Sequence, residues 1–176
     1  MVARLDPIKD HSTLLTALAL ARSTCPERHI TLDIIGDGPL RPQLEAQVHR
    51  LGLEDAVEFL GSRPDVPELL GRLDIFVLAT SAQEGFGIVL IEALAAGVPV
   101  IASDVPACRE VLARGALGTL VPAGDPGAMA EAILNLARQL PRPLRAVPIR
   151  EVRERYDISS AAARHLEALS SMAALD

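Results

Sequence analysis

The chain has 176 residues, nearly half of them apolar, with 23 acidic side chains against 17 basic ones and a net charge of −6. Only four residues are aromatic, three Phe and one Tyr, so base-stacking platforms are missing and the acidic balance excludes a nucleic-acid surface. Cys25 and Cys108 are too few for a disulfide framework, and no apolar run approaches a membrane span; both point to the cytoplasm, with any peripheral attachment to the inner face of a membrane left to another domain.

In chain order, short apolar runs alternate with helical stretches six times. The runs at 2–5, 31–36, 56–60, 74–80, 99–103 and 118–121 read as strands. The stretches at 10–23, 39–51, 65–72, 87–97, 106–113 and 126–139 read as helices. Continuous apolar strands suit a parallel sheet covered on both faces. Pro39, after Gly38, falls in a first helical turn, and Asp125 before Pro126 reads as an N-cap. Gly97 and the alanines at 93, 95 and 96 let the fourth helix lie close on its sheet. Six such units predict an α/β, Rossmann-like, doubly wound sheet of order 3-2-1-4-5-6 over residues 1–140. Beyond it, Pro141, Pro143 and Pro148 interrupt an Arg-rich connector, and an amphipathic helix is expected over 158–173 within the segment 141–176. The chain opens almost directly on a strand, as the second half of a longer protein would.

Chemistry concentrates in Glu84-Gly85-Phe86-Gly87, with Glu92 eight positions after Glu84. Glycines at a strand-to-helix junction present backbone N–H groups to an anion, and the helix dipole adds positive potential. The flanking carboxylates suit sugar hydroxyls, so the ligand expected is a sugar nucleotide. In a sheet of this order the binding crevice opens beyond strands 1 and 4. Arg4 and Lys9, after the first strand, are therefore expected to face the glycine turn. Lys9 is the one lysine in a chain with 17 cationic side chains; a compact, rotatable ammonium suits phosphate.

The remaining polar features read more plainly. Gly36-Asp37-Gly38-Pro39 is first a tight turn, bordering the crevice closely enough for a backbone contact to a ligand; Gly61-Ser62-Arg63 is placed similarly. The histidines at 11, 29, 49 and 165 show no metal-ligand spacing, and no Asp-x-Asp pair exists, so no metal is expected. No histidine is expected in the crevice. Asp104 reads as a turn residue, Glu110 as a solvated or capping carboxylate, and Cys108 as a small buried side chain. Neither a Gly-x-x-x-x-Gly-Lys-Ser/Thr loop nor an ordinary dinucleotide fingerprint is present.

Taken together, Arg4-Leu5-x-Pro7-x-Lys9, Gly36-Asp37-Gly38-Pro39-Leu40, Phe59-Leu60-Gly61, Glu84-Gly85-Phe86-Gly87 with Glu92, Gly97-Val98-Pro99-Val100-Ile101-Ala102-Ser103 and Leu120-Val121-Pro122-Ala123-Gly124-Asp125-Pro126 resemble a known family. The chain looks like the carboxyl-terminal, donor-binding domain of the family 4 (group 1) retaining glycosyltransferases of GT-B architecture. The resemblance implies that Arg4 and Lys9 hold the donor diphosphate and stabilise it as leaving group. It puts Glu84 near the transferred sugar and the backbone of Gly85, Phe86, Gly87 and Ile88 on sugar and phosphate. Glu92 would accept hydrogen bonds from the ribose hydroxyls, and Arg63 falls where the family's backbone meets the base. It further implies transfer of a hexose from a UDP- or GDP-sugar, without metal or cofactor, to a glycan or lipid-linked acceptor held by an amino-terminal domain absent here. Ala3 and Asp10 stand where that family has glycines, Ala79-Thr80 where it commonly has Pro-Ser, and Pro106-Ala107 where Gly-Gly is frequent. Two other readings share these residues: half of a sugar-nucleotide epimerase, which needs a base in the crevice, and a non-catalytic sugar-nucleotide-binding module.

Overall fold

The structure is a computed structural model and describes residues 1–81, 84, 85, 87–140 and 156. The connector and terminal helix expected over 141–176 lie outside these residues, Tyr156 apart, and so does Phe86. Strand and helix alternate as α1 (His11–Thr24), β1 (Leu32–Ile35), α2 (Arg41–Leu51), β2 (Val57–Gly61), α3 (Val66–Leu70), β3 (Phe76–Leu78), α4 (Ile88–Ala95), β4 (Val100–Ser103), α5 (Pro106–Val111), β5 (Thr119–Val121) and α6 (Pro126–Ala137). Every strand pairing is parallel.

The pairings follow the expected order 3-2-1-4-5-6 in two parts, 3-2-1 and 4-5-6, and no pairing among the described residues joins the first strand to the fourth. Among the described residues β1 pairs with β2, and β3, β4 and β5 form a second sheet in that order. The expected first strand is reduced to one parallel bridge, Val2 to Ile35. Its backbone still follows the end of β1: Ile35 N–H donates to Met1 O at 2.9 Å, Ala3 N–H to Ile35 O at 2.9 Å, and Leu5 N–H to Asp37 O at 3.1 Å. What interrupts the ladder is Gly36, whose φ of +130° takes the partner strand out of the extended conformation. A Cβ at that glycine would lie 2.0 Å from the Ala3 carbonyl oxygen. Gly36 is therefore a point of close backbone approach as well as a turn.

Helix positions follow the apolar spacing. In α1, Leu14, Leu15, Ala17, Leu18 and Ala21 are buried at the intervals that make one face, and the Asp10 carboxylate caps the start by accepting from Thr13 N–H at 3.1 Å. Asp125 caps α6 as expected, accepting from Ala128 N–H at 2.9 Å. Helix α2 begins at Arg41 with Pro42 in its first turn, leaving Pro39 in the turn before it. Of the residues expected to let α4 approach the sheet, Ala93 is buried with Leu90 and Leu94, whereas Ala95 and Ala96 are exposed.

Two apolar clusters result. The larger joins α1, β3, α4, β4, α5, β5 and α6 around Phe76, Leu90, Leu94, Ile101 and Leu112. The smaller gathers Leu5, Leu15, Leu18, Ile34, Leu44, Val48, Leu53 and Ala56 between α1, α2 and β1. Burying aliphatic side chains of this size contributes about 1.5–3 kcal/mol each, which holds the strand ends, and the loops on them, in fixed relation. Among the described residues no helix is long and apolar enough to cross a membrane.

Candidate functional site

Two loops meet at the carboxyl ends of the strands. The first is built by Asp6-Pro7, a strong turn signal. Lys9 N–H donates to Asp6 O at 3.2 Å, closing a four-residue turn, while the Asp6 carboxylate accepts from Ile8 N–H at 3.1 Å and Lys9 N–H at 3.3 Å. The second loop leaves β3. Thr80 N–H donates to Ser103 Oγ at 3.0 Å at the end of β4, and Ser81 N–H donates to Ile8 O at 2.9 Å, joining the second loop to the first.

Across this junction the Lys9 ammonium forms an ion pair and hydrogen bond with Glu84 Oε2. The two side chains are only 19% and 7% exposed, respectively, so the attraction is far less screened than at the surface. Thr80 Oγ1 lies 3.1 Å from the same Glu84 oxygen and 3.0 Å from Ile8 O. Residues 75 positions apart thus share one pocket. Gly87 ends the second loop as the N-cap of α4, in the left-handed conformation at φ +67° that suits glycine. By contrast, a Cβ at Gly85 meets no atom of the described residues within 4 Å. Past the cap, Ile88 is 63% exposed, a large apolar side chain facing solvent in the first turn of α4. Glu92 is exposed one turn further on.

Two arginine side chains near these loops point outward. The Arg4 side chain is 78% exposed and lies 3.9 Å from the Asp6 carboxylate. Arg63 is exposed and held by both oxygens of Asp65, at 2.8 and 2.7 Å. Lys9 and Glu84 are brought together; Arg4 and Arg63 do not touch them. Asp104 pairs with Arg109 at 2.7 Å, and Glu110 is exposed.

Two residues near the pair were not anticipated. No histidine was expected in the crevice, yet His11 sits directly behind Lys9, 1% exposed. Its Nδ1 lies 2.7 Å from the Lys9 carbonyl oxygen, so that nitrogen carries the proton and donates. Burial lowers its pKa, opposed by the Lys9 carbonyl bond and by Asp6 and Asp10. Nε2 is the one buried side-chain nitrogen or oxygen without a partner among the described residues. The ring is walled off from solvent and cannot serve as a base toward a ligand in the cleft. The other is Thr80, fully buried; a hydroxyl at a strand exit was its only sequence signal. Cys108 is buried as expected, its thiol pushed up to about 12 by burial and then by the nearby Glu84 charge, which leaves it a poor nucleophile.

A cleft of about 630 Å³ also opens at the opposite, amino ends of the strands, between Met1, Asp33, Asp74 and Ile133. It contains none of the residues discussed above as donor contacts. Among the described residues no three His, Cys, Asp or Glu side chains gather to hold a metal.

Comparison with known proteins then places the chain. Residues 1–139 match the family described as Glycosyl transferases group 1. The chain belongs to the group 1 glycosyltransferases. Within that family, the phosphatidyl-myo-inositol mannosyltransferase of Mycobacterium leprae (strain TN) is 40% identical over 135 residues, covering 76% of this chain and 35% of the relative. The D-inositol 3-phosphate glycosyltransferase of Jonesia denitrificans is 40% identical over 126 residues, 68% of this chain and 30% of that protein. Among solved structures, Anabaena HepE in complex with UDP and glucose aligns with a TM-score of 0.78 at 30% identity, over 97% of this chain and 47% of that one. The parallel α/β architecture is that of the GT-B glycosyltransferases. The chain thus spans about a third of the length of these curated relatives and under half of HepE.

Proposed function

We propose that this chain is the carboxyl-terminal, donor-binding half of a retaining, metal-independent glycosyltransferase. It takes a hexose from a UDP- or GDP-sugar, and the whole protein passes it to a glycan or lipid-linked acceptor. The observation that carries this reading is the Lys9–Glu84 pair, an ammonium and a carboxylate on facing loops where an open α/β fold binds ligands. Support also comes from HepE, whose structures hold UDP, UDP with glucose, and UDP-glucose.

In this reading the diphosphate displaces Glu84 as the partner of Lys9. Departure of the nucleoside diphosphate builds negative charge on its outer phosphate, and the Lys9 ammonium and the start of α4 are fixed to receive it. Arg4, free to move at 78% exposure, adds a second cation. Losing one such preorganised group typically costs about 2.7–4 kcal/mol of barrier. Glu84, released from Lys9, accepts hydrogen bonds from sugar hydroxyls, and Glu92 accepts them from the ribose. Gly85, without a side chain, lets the backbone approach the sugar. The acceptor, and the group that takes its proton, belong to the amino-terminal domain outside this chain, so the chain alone binds donor and turns over nothing.

A thermal-stability screen of nucleotides and nucleotide sugars tests this. A ligand at 100 times its dissociation constant adds about 2.7 kcal/mol, or roughly 5–10 °C for a protein of this size. UDP- or GDP-sugars should give such a shift. A nucleoside without phosphates matching the best sugar nucleotide would contradict the diphosphate assignment.

A further inference from the structure

We propose that Thr80 is a positioning residue for the donor site, setting the Glu84 carboxylate against the sugar through its buried hydroxyl; this rests on the reading of Lys9 and Glu84 above. Thr80 is 0% exposed, and its place is fixed from behind by the bond from its own N–H to Ser103 Oγ at 3.0 Å. The hydroxyl has one proton and two acceptors in reach, Ile8 O at 3.0 Å and Glu84 Oε2 at 3.1 Å. Ile8 O already receives Ser81 N–H at 2.9 Å, so the carboxylate has the greater call on the proton. One hydroxyl thereby ties the residue before Lys9 to the side chain facing Lys9.

The consequence appears when donor binds. In the structure Glu84 is held by both Lys9 and Thr80, and both bonds fall on Oε2. Once a diphosphate occupies Lys9, Thr80 is the remaining protein donor to that oxygen. It keeps Oε2 anchored and leaves Oε1 to accept from a sugar hydroxyl. Without the hydroxyl, Glu84 would be free to follow the ammonium or turn away, and the entropy of fixing it would fall on sugar binding.

The test is calorimetric titration of the chain with UDP, UDP-glucose and GDP-mannose, carrying forward whichever nucleotide sugar binds more tightly. Thr80→Val keeps the shape and removes the hydroxyl; Thr80→Ser keeps the hydroxyl. The expected result is that Thr80→Val weakens the nucleotide sugar about tenfold, as loss of a hydrogen bond to a charged group does. Thr80→Ser should stay within about twofold, and Thr80→Val should add nothing in a Glu84→Ala background. Unchanged affinity in Thr80→Val, with Lys9→Ala still weakening binding, would overturn the role of Thr80 and leave the donor reading standing. Equal losses in Thr80→Val and Thr80→Ser, accompanied by lowered melting temperatures, would make the residue a packing element and also overturn it. If neither nucleotide sugar binds the unmutated chain, both readings fall.

Discussion

Replacing Lys9 by Met removes the ammonium while keeping most of the side chain's length, and it leaves Glu84 charged in a pocket where it is 7% exposed. Breaking a fully buried pair from one side typically costs about 3–5 kcal/mol, because the survivor is an unpaired buried charge. Lys9 is 19% exposed and the Thr80 hydroxyl still serves Glu84, so the expected loss is smaller, about 2–3 kcal/mol. In a protein of this length that is a fall in melting temperature of roughly 4–12 °C. Removing both charges, in Lys9→Met with Glu84→Gln, should recover more than half of it, since no uncompensated charge remains. Thermal and urea unfolding followed by far-UV circular dichroism at pH 7 would measure both. If Lys9→Met is as stable as the parent, or the double variant loses the sum of the single losses, the two side chains are not the coupled pair described.

Three further outcomes follow from single residues. Gly36→Ala brings a Cβ to within 2.0 Å of the Ala3 carbonyl oxygen at a φ of +130°; it should cost more than about 3 kcal/mol or abolish soluble expression. Gly85→Ala meets no atom of the described residues within 4 Å and should change stability by less than about 1 kcal/mol, while weakening nucleotide-sugar affinity in calorimetry. His11 has a folded pKa below its unfolded value because burial opposes its charge. The unfolded state therefore binds the extra proton first, and the stability from neutral His11 is complete above about pH 6.5 and lost as pH falls through the lower folded value. Melting curves of the parent and His11→Asn between pH 8 and 5 should converge on acidification; parallel curves would show that His11 does not titrate on unfolding.

Much of the architecture was legible because the signals were local. Asp10 and Asp125 each open a helix whose apolar spacing follows at once, and the buried strands read as unbroken apolar runs. The first strand pairs where it was expected, but its short extent was not legible, because Gly36 on the neighbouring segment breaks the ladder, a contact that no spacing records. The meeting of Lys9 with Glu84 was legible through topology, since both follow strands flanking the reversal of winding. The position of the Arg4 side chain, out in solvent beside Asp6, was not legible, because exposure leaves no mark on residue spacing. What Thr80 and His11 do was not legible, because it lies in what they bond to, a carboxylate four residues on and a carbonyl two residues back.

The chain's single lysine makes the decisive measurement unusually clean. Lysine-selective 13C labelling gives one ε-methylene signal, that of Lys9. Titration with UDP should shift it progressively to saturation, uridine at equal concentration should leave it in place, and the nucleotide sugar should move it as UDP does. A Lys9 signal that stays still while calorimetry records UDP binding, or that uridine moves equally, would mean the diphosphate lies away from the cleft between the two loops.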